Sequence, residues 1–321
     1  MDCYFAPMEG ITGYRYRSAH HRWFGGVDKY FMPFLSPSQE HSFTRRAFQD
    51  LLPEHNEGLN AVPQLLTRRA EDFLWAAGEL EAMGWREVSL NLGCPSGTVV
   101  AKGKGSGLLA DPGELDRFLD AIFSGTGMRI SVKTRLGIRA QEEFPRLLEV
   151  FNGYPILELT IHPRVQKDFY KNQARMPTFE EALRTSKNPL CYNGDLTTAA
   201  ECRDFQARYP QVGAVMLGRG LVGDPALAVK AKGGPAADKE RLRGFHDQVY
   251  ESYARDFGSR RNATLRMKEI WSYLIYLFRD GEKLSKRLKK AADPMEFDSA
   301  VAAVFRDLEL RQGSAAGWLD R

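Results

Sequence analysis

Eight short apolar runs, each followed by an amphipathic segment, recur over about the first 230 residues of the chain, and this period constrains the fold most. The runs are Tyr4–Ala6, Lys29–Met32, Ala61–Leu65, Val88–Leu92, Ile130–Thr134, Ile156–Ile161, Leu190–Tyr192 and Ala214–Leu217. They are rich in Val, Ile, Leu and Tyr and end in Gly, Pro or Asn, as buried parallel strands do. Between them, Thr67–Met83 places Phe73, Leu74, Ala77 and Leu80 at helical spacing, and Asp111-Pro112 reads as an N-cap followed by proline at the first helical position. Eight strand–helix units predict a (β/α)₈ barrel; a doubly wound sheet would not need so many regular units.

At Gly233–Asp238 the sequence GGPAAD reads as a linker. Beyond it the pattern is helix without strand: Arg241–Phe257, Asn262–Phe278, Lys283–Ala292 and Phe297–Leu310. The chain is therefore expected to divide into a barrel over 1–233 and a helical domain over 238–321. In the second of these helices Leu265, Ile270, Trp271, Leu274 and Leu277 offer an apolar face for a bundle.

Of the 321 residues, 43% are hydrophobic and 27% charged, which excludes collagen-like and wholly disordered chains. No run approaches the roughly 20 apolar residues of a membrane span, and MDCYFAPMEG lacks the basic and apolar regions of a signal peptide. Cys3, Cys94, Cys191 and Cys202 show neither a disulfide pattern nor metal-ligand spacing, so no metal is expected and a reducing cytoplasm is the default. Net charge is only +4, but Arg255–Lys290 holds eleven Lys/Arg against four Asp/Glu. Solvated helix faces would account for such a run; a polyanionic partner would also use it.

Barrel function gathers at the carboxyl ends of the strands. Those ends carry Pro7-Met8-Glu9, Gln64, Asn91 to Cys94, Lys133-Thr134-Arg135, His162-Pro163-Arg164, Asn193-Gly194-Asp195 and Gly218-Arg219-Gly220. One polar strand end is ordinarily a local hydrogen-bonder; seven on one rim point to a site. The last two suit a phosphate, with glycines for close approach and Arg219 as a forked cation. Two tight turns that need glycine would look the same. Asp195 would repel a phosphate and is expected to cap the helix at Thr197 or hold a hydroxyl. Gln64 and Lys133 suit an electron-poor ring; flavin mononucleotide and pyridoxal phosphate both fit these residue types.

Cys94 lies just past its strand. A lone cysteine is ordinarily an inert thiol, but one near the reference pKa of about 8.5 stays mostly protonated at neutral pH and can deliver a proton to carbon. The glycine-rich stretch 97–107 that follows, with Lys102 and Lys104, reads as a mobile loop able to close over a phosphate-bearing substrate.

The run from Asn91 to Leu109, NLGCPSGTVVAKGKGSGLL, resembles the cysteine loop of the tRNA-dihydrouridine synthases. APMEGIT at 6–12, VKTRLG at 132–137, HPR at 162–164, NGD at 193–195 and GRG at 218–220 match that family in the same order. The resemblance covers the whole barrel and, more loosely, the helical segment. It implies a flavoenzyme that reduces the C5–C6 double bond of uridine in tRNA, with FMN as cofactor and NADPH as reductant. By position it implies flavin contacts from Pro7, Met8, Glu9, Gln64, Lys133 and His162. Asn193, Gly194, Asp195, Gly218 and Arg219 would hold the ribityl phosphate. Asn91 would orient the uracil, Cys94 would protonate C5, and Arg135 would stabilise developing charge. Lys102, Lys104, Arg260, Arg261, Lys286 and Arg287 would contact RNA, and Trp271 and Tyr273 could stack a base, though aromatics on a helix more often belong to a core. No membrane and no obligate protein partner are implied.

Two positions depart from the family pattern: Gly13 stands where an aspartate commonly follows the threonine, and Asp168 where a glutamine commonly follows the histidine motif. The second touches the RNA contacts beside the flavin. Two other readings compete. A flavin-dependent reductase of a free pyrimidine would have no use for the basic segment, and a non-catalytic RNA-binding barrel would have none for the flavin constellation.

Overall fold

Pro63 explains why eight expected strands appear as nine segments. Lacking an N–H, it interrupts the ladder and divides the third run into Ala61–Val62 and Gln64–Leu65. In the computed structural model, which describes residues 1–311, the strands are β1 (Asp2–Phe5), β2 (Lys29–Phe31), β3 (Ala61–Val62), β4 (Gln64–Leu65), β5 (Glu87–Leu92), β6 (Arg129–Arg135), β7 (Leu159–His162), β8 (Leu190–Tyr192) and β9 (Ala214–Leu217). Residues 312–321, the end of the expected 238–321 segment, lie outside the described residues.

The sheet order is β3-β2-β1-β9-β8-β7-β6-β5-β4. Its two edges, β3 and β4, are halves of one chain segment, so the sheet closes on itself as the expected parallel barrel. The Leu35 amide donates to the Gln64 carbonyl at 2.7 Å and the Ser89 amide to the Pro63 carbonyl at 2.8 Å, linking the broken segment to both neighbours. Register places Asn91 beside Lys133, Lys133 beside Thr160, and Thr160 beside Cys191 across four adjacent strands.

The described residues form two compact units. The first comprises Met1–Tyr4, Lys29–Asp195 and Tyr209–Met216; the second comprises Phe5–Asp28, Leu196–Arg208 and the chain from Leu217 onward. In the first, the helix Ala70–Ala82 buries Phe73, Ala77 and Leu80. The helix Pro112–Gly125 starts as expected, with the Asp111 carboxylate accepting from the amides of Gly113 and Glu114. Below the barrel core the Tyr4 hydroxyl donates to Glu158 at 3.0 Å, and Lys29 pairs with Glu87 at 3.0 Å. Burial raises the Glu158 carboxyl to about 7 despite the opposing influence of Lys29.

In the second unit the helix Tyr14–Trp23 packs on the helix Lys239–Phe257 through Tyr16, His20 and Phe24 around Phe245. Gly244 permits this crossing, because a Cβ there would lie 2.1 Å from the Trp23 ring. The four expected C-terminal helices are present as Lys239–Phe257, Arg260–Leu274, Glu282–Lys290 and Pro294–Asp307. Trp271 is not a stacking surface: it is 2% exposed, packed among His246, Phe278 and Phe305. Leu265, expected in the bundle core, is 58% exposed because it lies on the opposite side of its helix from the packed stripe. All four cysteines are free thiols, and among the described residues no helix is long and apolar enough to cross a membrane.

Candidate active site

Within the first unit, Gln64, Asn91, Cys94, Lys133, Arg135 and His162 all stand at or just beyond the carboxyl ends of β4, β5, β6 and β7. Gln64 and Asn91 are buried; register sets Gln64 beside Ser89, and Asn91 stands two residues further along that neighbouring strand, beside Lys133. Asn91 Nδ2 donates to Gln64 Oε1 at 2.7 Å, while Gln64 Nε2 donates to Ser89 Oγ at 3.3 Å. Asn91 Oδ1 accepts from the backbone amides of Gly93 and Cys94, at 3.1 and 2.9 Å. One amide side chain therefore fixes both the glutamine on the neighbouring strand and the backbone that carries the cysteine.

The Cys94 backbone is held from two further sides. Ser106, fully buried, donates its hydroxyl to the Cys94 carbonyl at 2.7 Å, and Gln166 donates to the Pro95 carbonyl at 2.9 Å. The stretch 97–107, expected as a mobile loop, is instead folded into the turns Gly97–Val100 and Gly105–Ala110. Its glycines serve close packing: Gly105 has φ +58°, and a Cβ on Gly107 would lie 2.8 Å from the Val100 carbonyl. Lys102 is exposed and Lys104 half-buried on this segment. The Cys94 side chain itself is half-buried.

Lys133 is half-buried, and among the described residues no carboxylate pairs with it. Burial, aided by the nearby Arg135 charge, lowers its pKa to about 7. Arg135 is 1% exposed and spends two donors on backbone carbonyls, Gly93 at 2.9 Å and Val165 at 3.1 Å. It thus ties the cysteine segment to the loop after β7. Its guanidinium also lies 5.4 Å from the Tyr170 ring centre, and that ring lies 6.0 Å from His162.

His162 is buried, with Arg164 Nη1 3.0 Å from its Nε2. Arg164 also engages both oxygens of Asp195, one at 3.0 Å, and donates to the Asn172 carbonyl. The expected capping role of Asp195 falls to Glu201, whose carboxylate accepts from the Thr197 and Thr198 amides; Arg164 has claimed the aspartate. Asn193 donates to the Met216 carbonyl at 2.7 Å. At Gly194 a Cβ would lie 2.4 Å from the Tyr192 hydroxyl, so the turn needs glycine whatever else it does.

In the second unit, Pro7, Met8 and Glu9 form a turn closed by Thr12, which donates to and accepts from the Met8 backbone. Glu9 is exposed there, and Gly10 has φ +83°. Gly218 and the half-buried Arg219 open the short helix Arg219–Gly223. Arg260, Arg261, Lys286 and Arg287 are all exposed, and Arg260 pairs with Glu251 at 2.6 Å and Asp298 at 3.2 Å. Sequence reasoning assigned no role to Ser106, Gln166 or Tyr170. Tyr170 had a readable signal, an aromatic pair interleaved with cations in QKDFYK.

The sequence profile described as Dihydrouridine synthase (Dus) matches residues 4–308. The chain belongs to the dihydrouridine synthase family. A probable tRNA-dihydrouridine synthase of Staphylococcus epidermidis is 29% identical over 259 residues, covering 78% of each chain. One of Staphylococcus aureus is 29% identical over 222 residues, covering 63% of this chain and 67% of that protein. Among solved structures, the old yellow enzyme homologue from Zymomonas mobilis superposes with a TM-score of 0.54 at 13% identity, covering 76% of this chain and 94% of that one. That likeness establishes the barrel.

Proposed function

We propose that this member of the family is a tRNA-dihydrouridine synthase that reduces the C5–C6 double bond of a uridine in tRNA, using FMN and NADPH. The observation that carries the reading is the chain of contacts from Gln64 through Asn91 to Cys94, beside Lys133, with which no carboxylate pairs among the described residues. Those residues fit a flavin: Lys133 offers an uncompensated cation and Gln64 an amide to an electron-rich ring edge. His162, Asn193, Gly194, Asp195, Gly218 and Arg219 are proposed for the ribityl phosphate and its surroundings, with Pro7, Met8 and Glu9 against the ring. When bound, the flavin supplies hydride to C6 of the uracil and is recharged by NADPH.

This chain's own residues do the rest. Asn91 orients the pyrimidine while holding the Cys94 amide. As negative charge develops over C5 and O4, Lys133 stabilises it electrostatically. The Cys94 thiol gives its proton to C5, completing the addition of one hydride and one proton across the double bond. Arg135, with its donors on two backbone carbonyls, keeps the cysteine segment in register with the loop after β7. The barrel over 1–233 would carry the chemistry and the helical part over 238–321 the tRNA contacts, through Arg261, Lys286 and Arg287, with Lys102 and Lys104 on the cysteine segment. Extruding a uridine from its stack costs about a few kcal/mol, and phosphate contacts offset that cost.

The test is anaerobic spectroscopy of the purified protein. Flavin absorbance that bleaches with NADPH and recovers on adding unmodified tRNA, with dihydrouridine formed, is expected. A colourless protein that rejects added flavin would overturn the reading. Turnover of a free pyrimidine at rates matching tRNA would replace the substrate.

A further inference from the structure

The loop after β7 presents two adjacent exposed aromatics. Phe169 is 44% and Tyr170 51% exposed, and they are flanked by the exposed cations Lys167 and Lys171. Single exposed aromatics are common on proteins. This pair is held out by construction: Phe169 has φ +51° and ψ −95°, a region that a bulky L-residue rarely occupies.

Asp168 provides the hold. Its buried carboxylate accepts from the Val165 amide at 2.9 Å, from Asn172, and from both Nη atoms of Arg175. The turn is thus closed on both sides of residue 169, and the Lys171 amide adds a bond to the Asp168 carbonyl at 2.9 Å. One turn earlier, Gln166 donates to the Pro95 carbonyl of the cysteine segment. A strained, exposed ring is therefore anchored to the same backbone that carries Cys94.

We propose that Phe169 is a stacking platform for a nucleobase next to the uridine being reduced, with Lys167 and Lys171 contacting the phosphates on either side. An aromatic face interleaved with cations is how single-stranded nucleic acid is gripped without sequence readout. A uridine drawn out of its stack leaves a flanking base without a neighbour, and Phe169 supplies the missing face. Asp168 acts through Phe169 as a positioning residue. The inference rests on the proposed tRNA substrate.

The experiment measures tRNA binding and tRNA reduction by the full-length protein loaded with flavin. Phe169→Ala is expected to weaken tRNA binding by about 10- to 100-fold, with the dependence of affinity on salt concentration unchanged. Phe169→Trp should restore it, an outcome that a merely structural role would not give. Replacing Lys167 and Lys171 with Gln should lower the salt slope by between one and two units, the release expected for two phosphates. Flavin content and melting temperature report whether each variant folds. If Phe169→Ala fails to fold, Phe169→Trp and Phe169→Leu decide: affinity kept by Trp and lost by Leu supports stacking, and equal affinity overturns it. Unaltered binding in a folded Phe169→Ala sinks the platform even if tRNA is reduced. Binding through Phe169 without reduction keeps the platform and sinks the activity.

Discussion

Asn91 donates to Gln64 at 2.7 Å while accepting from the Cys94 amide at 2.9 Å, so one side chain spans the two halves of the proposed chemistry. Aspartate in its place is isosteric but cannot donate, which sets two oxygens against each other in a buried position. Asn91→Asp is expected to lower kcat by about 10²-fold or more, the scale lost when a catalytic group is displaced by an ångström. Single-turnover reduction of tRNA by prereduced protein checks it.

The Cys94 thiol has a separable role. Cys94→Ala leaves the contacts of Asn91, Ser106 and Gln166 to the backbone at residues 94 and 95 in place. The variant should therefore keep its flavin spectrum and accept electrons from NADPH while losing about 10²- to 10⁴-fold in uridine reduction, the range of general acid catalysis. Undiminished dihydrouridine formation would remove the thiol from the acid step.

Lys133 should make flavin binding pH-dependent. Burial lowers its pKa to about 7, with Arg135 adding to the shift. An electron-rich or anionic partner binds the protonated form, so binding takes up a proton once the pH exceeds about 7. Flavin affinity of the apoprotein is expected to fall by up to about tenfold per pH unit above that point, measured by fluorescence quenching. Lys133→Met should bind weakly and with a flat pH profile. A wild-type profile equally flat would show that the ammonium does not face the flavin.

The barrel was legible in the sequence because its strands are buried on both faces, so eight apolar runs stand out from their amphipathic surroundings. Gln64, Asn91 and Lys133 were legible for the same reason, as polar residues at the ends of apolar runs. Ser106 and Gln166 were not, since their partners are backbone carbonyls whose positions depend on the path of a loop. The glycines of 97–107 read as mobility because spacing does not distinguish freedom from close packing. Leu265 and Trp271 lie about 120° apart around one helix at 100° per residue. Apolar character alone did not say that Trp271 would be buried and Leu265 exposed.

Glu158 predicts a stability change that has nothing to do with catalysis. Burial raises its folded pKa to about 7, above the value of about 4.3 for an unfolded chain. The folded protein therefore binds more protons between those values, and this contribution is fully present below about pH 4.3 and lost as pH rises through about 7. Glu158→Gln keeps an acceptor for the Tyr4 hydroxyl and carries no charge. It should melt several degrees above wild type at pH 8 and level with it at pH 4, by calorimetry. An equal offset at both values would mean that packing, not ionisation, sets the difference.

The basic segment predicts a salt effect that depends on which cations are engaged within the fold. Lys286, Arg287 and Lys290 line a cleft of about 530 Å³ with Ala291, Met295 and Glu296. Arg260, by contrast, is held between Glu251 and Asp298, so much of its charge is already balanced. Neutralising Arg261, Lys286 and Arg287 together should weaken tRNA binding and lower the slope of log affinity against log salt by about two to three units. Neutralising Arg260 alone should change the slope by much less, because its ion pairs leave little charge for a phosphate. Filter binding at four salt concentrations separates the two. Equal slopes for the triple variant and wild type would move the tRNA footprint off this face of the helical segment and onto the barrel.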